Sequence, residues 1–341
     1  MKILVGMSGG VDSAYAALKL MEEGHTVEGA VLLMHDYTEL SAAEQTAKNL
    51  GIKLYVIDAR ERFKQTVIPN FINEYLSART PNPCIICNSE VKFRLLKDFA
   101  VEHGFDKIAT GHYARLKTFC QGKDERYAIA EALDTKKDQS YMLWRLPQDI
   151  LSMIVFPLSD VEKTDTRKGA ASALLPVANK AESQEICFIP DGDYASYIEE
   201  RGGVCPAGDF VDENGKILGK HNGIIRYTVG QRKGLGIALG VRTFVSKIDP
   251  VSNTVTLTSN PTEREELTVS GIVLSGIKNI DSCAEYRVRL RYQAKPLACA
   301  VSDMGDGRAR VVLKERARVV TAGQSAVFYD GDTVAFGGFI E

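Results

Sequence analysis

Gly6-Met7-Ser8-Gly9-Gly10-Val11-Asp12-Ser13 stands between an apolar run, Ile3-Leu4-Val5, and a stretch from Asp12 to Glu23 whose apolar residues recur at helical spacing and stop at Gly24. Glycines at a strand-to-helix turn let the backbone wrap closely round an anion, and the helix N-terminus adds amide donors and a favourable dipole. Ser8 and Ser13 add hydroxyls. Asp12 is the odd member, because a carboxylate repels phosphate unless Mg2+ lies between them. The alternative is a plain glycine-rich turn with Ser or Asp as a helix cap. The loop is neither a Walker A sequence nor a dinucleotide Gly-x-Gly-x-x-Gly.

The residues around the loop predict an α/β unit. Apolar runs at Val27–Leu33, Leu54–Asp58 and Lys107–Gly111 alternate with helical patterns over Ser41–Asn49 and Val91–His103. That alternation implies a doubly wound parallel sheet with its ligand site at the carboxyl ends of the strands. After about Gly202 the rhythm changes to short runs rich in Val, Ile and Thr: Phe244–Ile248, Thr254–Leu257, Arg287–Tyr292 and Arg308–Leu313. These predict a small central β domain and then a C-terminal β-barrel. At 341 residues the chain holds two or three domains, divided here as 1–203, 204–269 and 270–341. No run of 18 apolar residues is present, and the N-terminus has no signal-peptide pattern, so a cytoplasmic protein without membrane contact is expected.

A reducing compartment makes the seven cysteines more interesting as ligands or nucleophiles than as structural disulfides. Cys84 and Cys87 form a Cys-x-x-Cys within Thr80-Pro81-Asn82-Pro83-Cys84-Ile85-Ile86-Cys87-Asn88, and Cys187 lies in Glu185-Ile186-Cys187-Phe188-Ile189. A thiolate can carry a persulfide, attack an activated carbon or bind a metal. Cys120, Cys205, Cys283 and Cys299 read as small buried hydrophobes. A structural zinc site usually needs four ligands, and no second Cys-x-x-Cys is present.

Ser8-Gly9-Gly10-Val11-Asp12-Ser13 resembles the signature of the PP-loop ATP pyrophosphatases. The blocks Asn82–Phe93, Ala109-Thr110-Gly111-His112-Tyr113, Lys137-Asp138-Gln139-Ser140-Tyr141, Glu185–Ile189, Gly230–Gly236, Arg289–Tyr292 and Gly323–Tyr329 resemble, in order and over nearly the whole chain, the tRNA-specific 2-thiouridylases. The resemblance implies ATP bound by Gly6, Met7, Ser8, Gly9, Gly10, Val11, Asp12, Ser13, Leu32 and Gly111. Cys87 would be the nucleophile and Cys187 the persulfide carrier, closing a disulfide as sulfur leaves. Asn82, Pro83 and Cys84 would meet the target base, and His112, Lys137, Asp138, Gln139, Arg291, Tyr292 and Gln324 would contact tRNA. The family acts on the wobble uridine of Lys, Glu and Gln isoacceptors. The resemblance further implies a monomer binding one tRNA, served by a sulfur donor or relay protein.

One departure matters. Many members have Asp where this chain has Cys84. Cys84, Cys87 and Cys187 could instead hold a [4Fe–4S] cluster with one open iron, although four cysteines are the usual set. Both sulfur routes follow adenylation of the uridine C2 oxygen by ATP, which turns a poor leaving group into AMP. A different PP-loop synthetase would leave the cysteines idle, and a non-catalytic RNA-binding or iron–sulfur carrier would leave the phosphate loop idle.

Net charge is only −2, so any RNA-binding face must be local. Asp281–Val320 carries nine Lys/Arg against five Asp/Glu, and Arg287, Arg289 and Arg291 alternate as if on one face of a strand. Phosphate contacts would suit them; a solvated barrel face is the alternative. His112 alone reads equally as a structural or a ligand-contacting residue.

Overall fold

The computed structural model describes residues 1–121, 124–175, 177–178, 186–261 and 263–341. Glu185 of the Cys187 block and the Cys120 side chain lie outside the described residues. In chain order the first unit comprises β1 (Lys2–Gly6), α1 (Val11–Glu22), β2 (Thr26–Leu33), α2 (Ser41–Leu50), β3 (Leu54–Asp58) and α3 (Arg60–Leu76). A turn of helix, α4 (Pro83–Ile86), leads into a π-helix (Cys87–Lys92), then α5 (Phe93–Glu102) and β4 (Lys107–Thr110). A hairpin, β5 (Arg115–Gln121) and β6 (Asp124–Ala130), precedes α6 (Gln148–Leu151), β7 (Ile154–Val155), α7 (Lys163–Ser172) and α8 (Tyr194–Glu199).

The parallel sheet runs β3-β2-β1-β4-β7. Gly6, the last residue of β1, is in register with Ala30 of β2 and Thr110 of β4. Strand order reverses there, so the loop after β1 opens into the crevice at the carboxyl edge, where such sheets bind ligands. The expected strands and first helices are present. α3 was not foreseen: Phe63, Val67, Phe71 and Tyr75, four residues apart, form its buried face, but Pro69 inside it reads as a breaker. The expected helix from Val91 is two structures, because the six residues before α5 are wound as a π-helix.

In the central unit β8 (Gly208–Val211), β9 (Ile217–His221), β10 (Phe244–Asp249) and β11 (Thr254–Thr258) form a sheet in the order β10-β11-β8-β9. The last six strands are β12 (Arg264–Leu274), β13 (Tyr286–Arg289), β14 (Leu297–Gly305), β15 (Arg308–Ala317), β16 (Ser325–Asp330) and β17 (Thr333–Ile340). β12 pairs with both β15 and β17, which closes them into a barrel without edges. The boundary expected after residue 269 falls inside β12, whose Glu266–Val269 already pair with β15. The expected strand through Tyr292 ends at Arg289, and the chain turns there.

The barrel and the catalytic unit share one core. Val327, Tyr329 and Val334 of the barrel belong to the buried cluster that holds Phe71, Phe93, Tyr141 and Trp144. Trp144 is 0 % exposed and donates its indole N–H to Ser325 Oγ at 3.0 Å, while Tyr141 Oη donates to the Ser325 carbonyl at 2.8 Å. Gly337 lies flat against the indole: a Cβ there would come within 2.4 Å of the ring. The hairpin completes the seam, with Ala130 of β6 in register with Thr333 of β17. Among the described residues no helix is long and apolar enough to cross a membrane.

Candidate active site

The phosphate loop is shaped by its own hydroxyls. Ser13 Oγ donates to the Gly10 carbonyl at 3.1 Å and accepts from the Ser8 amide at 3.2 Å. Gly9 takes φ +69°, which favours glycine, and Met7 is anchored by its amide on the Ala30 carbonyl at 2.7 Å. Just past the end of β4, Gly111 presses on the loop so closely that a Cβ would lie 2.6 Å from Asp12 C and Ser13 N. Leu32 is buried near the end of β2.

Asp12 already has a cation. Lys163, from the first turn of α7, reaches both carboxylate oxygens at 2.6 and 2.7 Å and is 7 % exposed. Tyr113 Oη bonds Asp12 Oδ1 at 2.9 Å and Thr166 Oγ1 at 2.9 Å, and burial drives its phenol well above the ordinary range. Sequence reasoning looked only to Mg2+ for the charge opposite Asp12; the protein brings an ammonium from 151 residues away.

The thiol site adjoins the same edge of the sheet. Cys87 opens the π-helix, is 7 % exposed, and donates Sγ–H to Met34 Sδ at 3.6 Å, one residue beyond β2. Burial pushes the Cys87 thiol up to about 12, against the pull of the Lys92 ammonium, with Cys187 and Cys84 adding to the rise. Cys187 is exposed, yet its neighbour Phe188 is wedged edge-on against Phe63 and Phe71 at 5.3 Å, which pins the backbone that carries the sulfur. The protein walls around Cys187 also raise its thiol, followed by the effect of Cys84. Cys84 is exposed on α4, where Asn82 precedes the helix and Pro83 takes its first position. Met142 ties this segment down: it accepts from Asn82 Nδ2 at Sδ (3.5 Å) and from Asn88 Nδ2 at its carbonyl (3.0 Å).

Three cysteines that sense one another are not yet a cluster site. Among the described residues no group of three His, Cys, Asp or Glu side chains converges as metal ligands, and the most buried thiol rests on a methionine. As folded, the residues do not fit a [4Fe–4S] group. Of the other cysteines, Cys299 is buried as expected and Cys205 partly so, but Cys283 is exposed.

The residues expected to meet RNA divide. Arg291 is exposed, has no carboxylate partner among the described residues, and adjoins half-buried Tyr292, whose ring lies 6.0 Å from that of Tyr141. Lys137 is half-buried. Gln139 instead accepts from the Tyr113 amide at 3.0 Å, and Gln324 Nε2 donates to the Thr80 carbonyl at 2.8 Å, fastening the barrel to the cysteine segment. Asp138 is 2 % exposed and accepts from Arg289 at 2.7 Å, from Ser140 Oγ at 2.8 Å and from the Ala132 amide at 3.1 Å; it faces protein, not solvent. Arg287 and Arg289 both reach Glu131, so the three arginines do not form one free row. Along β15 and just past its end, Arg310, Arg316 and Arg318 pair with Glu266, Glu265 and Glu263, which cancels most of the apparent basic surplus. His112 bonds Thr110 Oγ1 at 2.8 Å through Nδ1, and burial together with Lys92 lowers its pKa to about 3, leaving a neutral imidazole.

An anion loop at the strand-order reversal of a parallel sheet, with a buried thiol beside it, defines the first unit as a PP-loop enzyme. Family models match in three consecutive pieces: the tRNA methyl transferase HUP domain over residues 1–191, the tRNA methyl transferase PRC-barrel domain over 195–259, and the aminomethyltransferase beta-barrel domain over 264–340. The tRNA-specific 2-thiouridylase MnmA of Geotalea uraniireducens is 44 % identical over 100 % of this chain and 95 % of its own length. Its namesake from Acetivibrio thermocellus is 43 % identical over 100 % and 99 %. The chain belongs to the tRNA-specific 2-thiouridylase family. Among solved structures it is similar to the U34-tRNA thiolase NcsA of Methanococcus maripaludis with its [4Fe-4S] cluster, at 16 % identity and TM-score 0.36 over 59 % of this chain and 66 % of that one, too weak a likeness to carry the cluster over.

Proposed function

We propose that this enzyme replaces the C2 oxygen of the wobble uridine of tRNA with sulfur, using ATP, in the cytoplasm. The observation that carries this reading is the buried Cys87 resting on Met34 just past β2, at the sheet edge onto which the phosphate loop after β1 also opens. Methyl transfer, the reaction in two of the family-model descriptions, would leave both the loop and the thiol pair without a task.

In this reading the uridine O2 attacks the α-phosphorus of ATP, N3 gives up its proton, and pyrophosphate leaves into the loop at Gly9–Ser13. Asp12 would hold the Mg2+ that accompanies ATP, which would supply neutralising charge to the pyrophosphate; Lys163, bonded to both carboxylate oxygens, keeps Asp12 oriented until then. A persulfide donor charges Cys187 by passing its outer sulfur to the Cys187 thiolate and leaving as a thiol. The terminal sulfur attacks C2, the C–O bond breaks, and AMP departs. Cys87 thiolate then attacks Cys187 Sγ; the S–S bond to the transferred sulfur breaks, 2-thiouridine is left, and a Cys87–Cys187 disulfide forms that an external dithiol reopens. Asn82, Pro83 and Cys84 line the approach to the base, and Arg291, Tyr292, Lys137 and His112 meet the RNA. Lys, Glu and Gln isoacceptors and a monomeric enzyme are part of the same reading.

The test is thiolation of unmodified tRNA by anaerobically prepared protein, with iron and labile sulfide assayed on the same sample. ATP-dependent 2-thiouridine from iron-free protein supports the persulfide route. The same product only with about four irons per chain, lost in Cys84→Ser, would replace it with a cluster. No thiolated base under either condition rejects the reading.

A further inference from the structure

Lys92 has no part in the chemistry just described, yet it closes the π-helix that Cys87 opens. We propose that Lys92 is a positioning residue whose ammonium holds the negative charge of the sulfur groups on Cys87 and Cys187, and that the π-helix exists to bring it there. This rests on the thiolation reading and adds a residue to it.

The geometry follows from helix phase. In an α-helix of 3.6 residues per turn, residue i+5 points about 140° away from residue i. In a π-helix, whose hydrogen bonds close from i to i+5, it comes round to within about 50°. Cys87 and Lys92 are the first and last residues of this π-helix, and the amide of Phe93 donates to the Asn88 carbonyl in the i to i+5 pattern. Regular α-helix here would turn Lys92 away from Cys87. Such π turns are rare and persist mostly where function holds them.

The ammonium is also fixed in place. Lys92 Nζ donates to Asn88 Oδ1 at 3.0 Å, and Asn88, buried, is itself held by the Met142 carbonyl. Among the described residues no carboxylate pairs with Lys92, although it is half-buried. A half-buried ammonium with no carboxylate beside it is available to an anion that forms on this face. Its field is felt at Cys87, Cys187 and His112 together, and His112, held neutral, brings no competing positive charge. The anions that form on this face are the thiolate of Cys87 and the persulfide or thiolate of Cys187. Lys92 itself makes and breaks no bond.

The test separates the two halves of the reaction in Lys92→Met and Lys92→Arg. Single-turnover release of pyrophosphate, dependent on tRNA, reads adenylation; formation of 2-thiouridine reads sulfur transfer. Lys92→Met should slow sulfur transfer on the order of 10²-fold, the usual effect of losing one charge-stabilising group, with pyrophosphate release and the KM values for ATP and tRNA within about twofold. Lys92→Arg should recover most of the loss. Iodoacetamide alkylation of Cys187 without ATP or tRNA should slow in Lys92→Met alone. Equal loss in both half-reactions, or unchanged alkylation, would overturn the proposal, and loss of pyrophosphate release alone would assign the ammonium to the adenylate. Slower alkylation in a protein whose wild type makes no 2-thiouridine would keep the Lys92–thiol coupling and reject only the thiolation reading.

Discussion

Lys163 grips both carboxylate oxygens of Asp12 across the mouth of the phosphate loop. The pair couples α7 to the loop and leaves the loop without a bare negative charge facing the phosphates. Lys163→Met should therefore raise the KM for ATP by about 10- to 100-fold, as expected for losing about 1–3 kcal/mol of charge-assisted hydrogen bonding. The KM for tRNA should stay within twofold. Steady-state kinetics with each substrate varied would check this, and an unchanged ATP KM would make the pair purely architectural.

Gly111 tests the loop from the other side. A methyl at this position meets backbone atoms of Asp12 and Ser13 at 2.6 Å, and backbone cannot swing aside as a side chain can. Gly111→Ala should displace the loop, abolish measurable ATP binding in calorimetry and lower stability by about 1–3 kcal/mol. Gly51→Ala serves as a control: its Cβ meets nothing within 4 Å, so it should lose some stability at its positive φ but bind ATP normally.

Arg289 and Arg291, two residues apart, should behave oppositely. Arg289 is locked between Glu131 and buried Asp138, so Arg289→Met strands a carboxylate and should destabilise the fold by roughly 3 kcal/mol. Arg291→Ala should change stability by less than about 0.5 kcal/mol. It should weaken tRNA binding and lower the slope of log K against log salt by about one. Urea melts and salt-titrated binding distinguish the two.

Burial pushes both Cys87 and Cys299 up to about 12. An unfolded thiol ionises near 8.5, so above about pH 9 the unfolded chain sheds protons that the folded one keeps. Stability must then fall as pH rises, by about 1.4 kcal/mol per pH unit for each thiol until the folded value is reached, and the effect vanishes below about pH 8. Cys299→Ala should remove one of the two slopes. Urea midpoints at pH 9, 10 and 11 measure it; an unaltered slope would mean that Cys299 ionises in the fold.

What could be read from the sequence was what is local. The phosphate loop is eight consecutive residues between a strand and a helix, and the cysteine segment carries its prolines and asparagines with it. The partners that complete the site come from afar: Lys163 from α7, Gln324 from the barrel onto Thr80, Met142 onto Asn82 and Asn88. No period or spacing announces such meetings, since tertiary packing creates them. The basic surplus misled for a similar reason. Glu263, Glu265 and Glu266, which neutralise Arg318, Arg316 and Arg310, precede the stretch in which the charges were counted. The π-helix has no signature in composition: the helix expected from Val91 takes in only its last two residues, and hydrogen bonding alone sets it apart.

Because Ser325 receives Trp144 and Tyr141, and β17 receives the hairpin, the catalytic unit has no finished core until residues 325–340 are in place. On a ribosome, the phosphate loop and all three site cysteines emerge well before that. A nascent chain then carries its reactive thiols in a half-built pocket, with a large indole waiting for its wall. Its exposure to oxidation and to chaperones is set by how quickly the last two strands are synthesised, and activity should switch on in one late step rather than domain by domain.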